Sequence, residues 1–334
     1  MTVLVTGGAG YIGSHTVLAL VESGETVVVI DDLSTGFPYL LPDGVSLFKG
    51  NIGDENFVES VINSCGVECI FHFAASVVVS DSMRDPLAYY SNNTAVTCNL
   101  LRVAVKCGVT RLIFSSTAAV YGNPDHVPVA ENATMRPLSP YGSSKMMAEQ
   151  LLHDVAVAHD LNYVVLRYFN VAGADPSART GLATAGATHL FKIAVEAATE
   201  QRDRVDVFGI DYSTPDGSCI RDFIHVSDLA QAHLAALSYL RKGGQSTVLN
   251  CGYGRGYSVL EIIETVQRIS RCKFAVKVAN RRLGDIMTLI ADTSRIRTVL
   301  DWTPRYDNID IITEHALAWE IKSLNRFKSG RTTS

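Results

Sequence analysis

Tyr141 and Lys145 stand four residues apart in the run Tyr141-Gly142-Ser143-Ser144-Lys145, directly after Pro140. On a helix that spacing places both on one face, about 6 Å apart along the axis. A phenol titrates near pH 10, so work as a base near neutrality needs a shift of about three units, or about 4 kcal/mol. An ammonium on the next turn favours the phenolate and supplies part of that shift. Thr117, just beyond the apolar run Leu112–Ser115, adds a short hydroxyl. It either relays a proton between a substrate hydroxyl and the phenol or satisfies backbone at a strand end. The chemistry in view is proton abstraction from a hydroxyl.

A second group of residues binds rather than reacts. The stretch Thr6-Gly7-Gly8-Ala9-Gly10-Tyr11-Ile12-Gly13 lies between the apolar run Val3-Leu4-Val5 and the apolar-periodic segment Tyr11–Val21. It reads as strand, glycine turn, helix. Gly7 permits the tight turn, Gly10 lets backbone approach a pyrophosphate, and Gly13 lets the helix pack on the strand, with the first helical N–H groups aimed at phosphates. The next apolar run, Thr26–Ile30, ends in Asp31, 18 residues after Gly13. A carboxylate near that offset accepts hydrogen bonds from a ribose 2′-hydroxyl. Asp32 adds to the negative charge, and no Arg or Lys lies between Gly13 and Lys49. A 2′-phosphate is repelled there, so the expected cofactor is NAD rather than NADP. A positively charged nicotinamide beside Tyr141 would supply the rest of the phenol's shift.

These groups need elements to position them. Strands are expected at Val3–Val5, Thr26–Ile30, Ser46–Phe48, Cys69–Phe73, Leu112–Ser115 and Tyr163–Leu166, and helices at Tyr11–Glu22, Glu55–Ser64, Pro86–Cys107 and Tyr141–His159. Such alternation requires crossover connections, hence a parallel sheet with helices on both faces. The fold class is α/β: a doubly wound parallel (Rossmann) sheet whose ligands lie at the carboxyl ends of the strands. From about Gly173 the rhythm breaks. Asp175–Gly186, rich in Ala, Gly, Thr and Ser, reads as a loop. Short strands near Val205–Phe208 and Cys219–Val226 then mix with helices near Thr188–Thr199, Ser227–Leu240, Ser258–Ile269 and Asp310–Leu324. Ser258 with Glu261 three residues on forms a capping box. The expected organisation is a cofactor domain over 1–172 and a smaller mixed α/β C-terminal substrate lobe over 173–334, some of whose segments return to the first domain. A short polar tail is expected from Lys328 to Ser334.

The chain of 334 residues is 47% apolar and 19% charged, with a mean hydropathy of +0.15. It is long enough for a large core. A formal charge of −5 without a basic, aromatic-interleaved patch argues against a nucleic-acid partner. No apolar run is long enough to span a bilayer. The seven cysteines show no CxxC pairing, and Cys65 with Cys69 completes no zinc set, so no metal is expected. Reduced thiols, and a first strand that leaves no room for a signal peptide, give cytoplasm as the expected compartment.

Five segments together carry a resemblance: TGGAGYIG at Thr6–Gly13, FSSTAAVYG at Phe114–Gly122, YGSSK at Tyr141–Lys145, LRYFNVAGA at Leu166–Ala174 and RDFIHVSDLA at Arg221–Ala230. The chain resembles the extended short-chain dehydrogenase/reductase superfamily and, within it, the UDP-glucose 4-epimerase family, nearly end to end. The resemblance implies a cytoplasmic, homodimeric isomerase of carbohydrate and galactose metabolism. Its dimer would form through the helices Pro86–Cys107 and Tyr141–His159. Tyr141 would be the base at the sugar 4-hydroxyl, aided by Thr117, while hydride passes between C4 and a captive NAD. Lys145 would bind the nicotinamide ribose and lower the Tyr141 pKa. Besides the glycines, the cofactor would be lined by Tyr11, Ile12, Asp31, Asp32, Asn51, Ile52, Phe73, Ala74, Asn92 and Phe169. The UDP-sugar would be held by Asn170, His189, Leu190, Phe208, Arg221, Arg282, Asp285 and Leu289. Guanidinium groups suit a diphosphate, although Arg221 beside Asp222 also invites an ion pair. Related dehydratases and decarboxylases carry acidic residues just after the Thr117 position; here Ala118 and Ala119 stand there, which favours epimerisation.

Four positions depart from the family pattern. Asn51 stands for an Asp at the adenine, Val77 for a Lys near the cofactor, and His189 for an Asn by the diphosphate or uracil. Leu289 stands for a Tyr or a smaller residue by the sugar 2-substituent. They leave UDP-N-acetylhexosamine, UDP-pentose and UDP-uronate as alternative substrates. An NAD-binding regulatory protein is the non-enzyme alternative, one that would not need the Tyr/Lys pair. His15, His72 and His225 lie in or near motifs, and packing or a satisfied hydrogen bond is the expected role of each.

Overall fold

The computed structural model describes residues 2–184, 186–282 and 284–330. The first half of the chain builds β1 (Thr2–Thr6), α1 (Tyr11–Glu22), β2 (Thr26–Asp31), β3 (Ser46–Lys49), α2 (Glu55–Cys65) and β4 (Val67–His72). There follow the short helices α3 (Val79–Arg84) and α4 (Pro86–Tyr89), then α5 (Val96–Lys106), β5 (Arg111–Thr117), α6 (Pro140–Ala158) and β6 (Asn162–Tyr168). The second half adds β7 (Asn170–Ala172), α7 (Leu190–Ala198), β8 (Arg204–Phe208), β9 (Ile220–His225), α8 (Val226–Arg241) and β10 (Thr247–Cys251). It closes with β11 (Gly256–Ser258), α9 (Val259–Ser270), β12 (Ala275–Ala279), β13 (Thr288–Leu289), α10 (Ser294–Leu300) and α11 (Ile309–Gly330).

Seven strands form one sheet in the order β10-β6-β5-β4-β1-β2-β3, with every pairing parallel. Both faces are covered, and the side-chain alternation of each strand divides between them. Val3, Val5, Ile113, Val164 and Leu166 enter one core, with residues of α1, α8 and the C-terminal helices. Leu4, Leu112, Phe114, Tyr163 and Val165 enter the other, with residues of α2, α5 and α6. The chain leaves β1 in one direction to β2 and β3 and returns to β4 on its other side, so a crevice opens at the carboxyl ends of β1 and β4. Phe73 and Ala74 both donate their N–H to the Thr6 carbonyl there, at 3.0 and 3.1 Å.

The second sheet is small and mixed. β9 pairs in parallel with β7 and β13 and antiparallel with β11, while β8 and β12 pair apart from it. The expected capping box at Ser258 and Glu261 is present. Two expectations need correction. The helix expected over Pro86–Cys107 is α4, one π-helical segment (Tyr90–Ala95) and α5. β10, which is wholly buried or nearly so and closes the main sheet against β6, was not anticipated, nor were β7, β11, β12, β13, α3 and α10. The last helix runs beyond Leu324 to Gly330, and the end of the expected tail, 331–334, lies outside the described residues. Among the described residues no helix is long and apolar enough to cross a membrane, and the seven cysteines are free.

Candidate active site

α6 begins at the carboxyl end of β5. Ser139 caps it by accepting the Gly142 N–H at 3.2 Å, and Pro140 takes the first turn, where a missing N–H costs nothing. A Cβ on Gly142 would lie 2.7 Å from the Ala119 carbonyl oxygen. Gly142 therefore lets the helix abut the turn that Thr117 opens. Thr117 Oγ1 accepts the Ala119 N–H at 3.1 Å, so its hydroxyl proton stays available. The neighbouring residues offer no proton: Ala118 is buried, and both it and Ala119 carry only a methyl.

Lys145 is buried, and its Nζ donates to the Ser115 carbonyl at 2.9 Å and sits 4.8 Å from the Phe114 ring centroid. Burial lowers its pKa to about 7, against the opposing charge of Glu149 one turn on. Burial pushes the Tyr141 phenol up to about 12, while its hydrogen bond with Thr117 pulls the other way. Removing a phenolate from water outweighs that one hydrogen bond.

The glycine turn meets the demands of a dinucleotide. Gly7 has φ +70, and a Cβ there would strike the Ala74 nitrogen at 2.6 Å; one on Gly13 would lie 2.1 Å from the Gly7 carbonyl oxygen. Gly10 is the N-cap of α1, which has no side-chain cap and no acidic residue in its first turn, and this leaves its first N–H groups for an anion. Asp31 accepts one backbone N–H on each oxygen, from Ala9 at 2.9 Å and Leu33 at 2.8 Å. A carboxylate has about four acceptor positions, so capacity for a ribose hydroxyl remains. Asp32 accepts from Ser34 N. Ile52 is buried beside the sheet core. Asn51 is exposed and gives its Oδ1 to the Gly53 N–H at 2.7 Å. The residues present thus fit NAD.

Tyr11 ties this cradle to the second lobe by donating to the Gly173 carbonyl at 2.7 Å. Phe169, Leu289, Ala118 and Tyr121 share one small apolar cluster, so a residue expected at the cofactor, one expected at the sugar and the turn after β5 come together. Arg221 and Leu289 are register partners on β9 and β13. Arg221 donates to the Ile220 carbonyl at 2.9 Å, whereas Asp222 accepts the N–H groups of Tyr253, Gly254 and Ala291. The sequence neighbours point apart, as they must on a strand. The Arg282 guanidinium lies 4.1 Å from the Phe208 ring centroid and its Nε 3.3 Å from Asp285. His189 precedes α7, which starts at Leu190, and faces Tyr11 edge-on at 6.5 Å. Asn170 and Val77 are exposed. His72 joins Thr6 to Thr97, His15 meets the Tyr11 carbonyl, and His225 caps α8; all three are buried.

Sequence reasoning singled out Asn92, whose amide donates to Ser76 Oγ at 2.9 Å. It missed Asn93. The Asn93 side chain donates to Ser76 O and Ser144 Oγ and accepts from Ser76 N, docking the π segment onto α6. It also missed Glu149 and Arg167, although Glu149 continues the four-residue spacing of Tyr141 and Lys145.

Residues 3–252 match the NAD dependent epimerase/dehydratase family. The chain is 51% identical over 318 residues to the UDP-glucose 4-epimerase of Azospirillum brasilense, covering 95% of this chain and 91% of that one. UDP-glucose 4-epimerase from Brucella ovis, solved in complex with NAD, is similar at 40% identity and TM-score 0.92, covering 95% and 97% of the two chains. The UDP-Glc/GlcNAc 4-epimerase of Campylobacter jejuni is similar at 43% identity and TM-score 0.84, covering 96% and 99%.

Proposed function

The chain belongs to the NAD dependent epimerase/dehydratase family, and from that premise we propose that it is an isomerase that interconverts UDP-glucose and UDP-galactose with NAD as cofactor. The observation that carries this reading is the hydroxyl chemistry of Tyr141 and Thr117 next to two alanines, Ala118 and Ala119. Dehydration would need a second proton to be moved, and these methyls move none. When bound, NAD supplies the hydride acceptor and donor for C4 of the sugar.

The chain's own residues do the rest. Tyr141 takes the proton of the sugar 4-hydroxyl, with Thr117 hydrogen-bonded to the same oxygen, and returns it to the other epimer. Lys145 binds the nicotinamide ribose, and in its protonated form favours the phenolate. The turn Gly7–Gly13 and the first N–H groups of α1, including those of Tyr11 and Ile12, hold the pyrophosphate. Asp31, Asp32, Asn51 and Ile52 serve the adenosine end, and Phe73, Ala74, Asn92 and Phe169 line the rest. Arg221 and Arg282 bind the diphosphate as planar forks. Asn170, His189, Leu190, Phe208 and Asp285 frame the uridine, and Leu289 bounds the sugar. The protein works in the cytoplasm as a homodimer through α4, α5 and α6. Exposed Leu87 and Met147, at 75% and 44% relative exposure, support that face.

Purified protein given UDP-galactose and no added NAD is expected to produce UDP-glucose, and to release NAD on denaturation. Strict dependence on external NAD would overturn the captive cofactor. Unchanged epimer formation by Tyr141→Phe would overturn the mechanism. Parallel incubations with UDP-N-acetylgalactosamine, a UDP-pentose and a UDP-uronate rank the alternative substrates that Leu289 leaves open.

A further inference from the structure

Glu149 lies on α6 four residues beyond Lys145 and eight beyond Tyr141, so the three side chains share one stripe. It is buried, and so is its partner Arg167 on β6. Arg167 grips it as a fork, with Nε 3.1 and 3.2 Å from the two carboxylate oxygens and Nη2 2.6 Å from Oε2. Ser116 on β5, the register partner of Arg167, also donates to Glu149. Arg167 Nη1 donates to Tyr121 Oη at 2.9 Å and to the Glu131 carbonyl at 3.0 Å. Tyr121 in turn donates to Asn250 on β10 at 2.6 Å. The carboxylate therefore joins α6 to the carboxyl ends of β5 and β6, and Arg167 carries the link on through Tyr121 to β10.

We propose that Glu149 and Arg167 are positioning residues for the reaction, clamping α6 so that Tyr141 and Lys145 face Thr117. The proposal rests on the epimerase reading of that site. Stability is a poor reason for such a pair, since well-packed apolar side chains in place of a buried ion pair are often as good or better. The same layer already holds Leu112, Phe114, Ala148 and Val165, so apolar neighbours for such a replacement are at hand. What a fork on a carboxylate adds is a single geometry. Here it fixes the rotation of α6 two turns from Tyr141, where a displacement of about 1 Å can cost about a hundredfold in rate. The Glu149 charge has a second effect, because it opposes the loss of the Lys145 ammonium on burial.

Glu149→Gln alone strands the Arg167 charge, so the test uses Glu149→Gln combined with Arg167→Met, which keeps an acceptor for Ser116 and buries no charge. Glu149→Asp is the companion that keeps the charge and shortens the reach. Both are read by thermal unfolding, by kcat and KM for UDP-galactose, and by ¹³C NMR of the lysine Cε signals, with Lys145→Arg assigning the resonance. In the folded double variant kcat is expected to fall about tenfold or more with KM within about threefold, and the Lys145 midpoint to drop by about half a pH unit. Glu149→Asp is expected to lower kcat with the Lys145 midpoint in place. Wild-type kcat in either folded variant would overturn the clamp. An unmoved midpoint in the double variant would overturn its electrostatic part. Wild-type protein that leaves UDP-galactose unconverted would instead overturn the epimerase reading on which the proposal stands.

Discussion

At the scale of single residues, the site sets two buried groups against their ordinary chemistry. Burial makes the Tyr141 phenol harder to ionise and the Lys145 ammonium easier to lose. A positive charge arriving beside both would reverse the first effect and add to the second. In the proposed mechanism the base therefore depends on the cofactor. Tyr141→Phe keeps the ring and removes the proton carrier, so kcat is expected to fall by about 10² to 10⁴ while UDP binding by calorimetry stays within a few-fold. Full activity in that variant would place the base elsewhere. In the proposed mechanism Thr117→Val removes a hydroxyl that shares the reacting oxygen, and a loss of about tenfold in kcat is expected, equal to one hydrogen bond of about 1.4 kcal/mol. A change confined to KM would assign Thr117 to substrate binding alone.

The same residues work only because their elements meet closely, and glycines set the distances. A methyl on Gly142 would press the start of α6 away from the Ala119 carbonyl, 2.7 Å distant. Gly142→Ala is therefore expected to lower kcat about tenfold or more and to lower the melting temperature as well, since the clash is with backbone, and an unaffected kcat would show that the α6 start is free to give. Gly13→Ala strikes backbone at 2.1 Å, and loss of copurifying NAD is its expected signature. The glycine turn, the alternating strands and the Tyr141–Lys145 spacing were legible because each is a local pattern. The π segment was not, since Asn93 acts by reaching Ser144 on α6, 51 residues away. β10 was hidden for a related reason. Its residues Thr247–Cys251 are few, and only pairing with β6 across 83 residues of chain (247 − 164) makes them a strand. The Glu149–Arg167 pair was visible as a continued spacing on α6, but its burial was not.

Across the whole molecule, neutral imidazoles sit at the joints between elements. His72 bridges β1 and α5 through Thr6 and Thr97, at 2.7 and 2.9 Å. His15 packs against Tyr11, which reaches the second lobe at Gly173. His233 on α8 meets Tyr168 on β6, and His225 on β9 meets His315 on α11 at 2.9 Å. Burial lowers the pKa of His72 to about 3 and those of His15 and His233 to about 4, and holds His225 well below its usual value. In the unfolded chain the same imidazoles titrate near 6.5. Between about pH 6.5 and 4 the unfolded state therefore binds more protons than the native one, and stability rises with pH across that window. It is fully present above about 6.5 and is lost on acidification, by about 1.4 kcal/mol for each unit of depression that is traversed. Surface carboxylates act lower, below about pH 4, while buried Asp222, whose pKa burial raises to about 6, offsets part of the loss between about pH 6 and 4. The melting temperature is expected to fall gently from pH 8 to 7, where the lowered Lys145 ammonium acts, and steeply from 6.5 to 4.5, both lobes unfolding together because the histidines hold each to the other. A melting temperature unchanged down to pH 5 would mean that these imidazoles protonate in place and that the joints between sheet and lobe carry a charge after all.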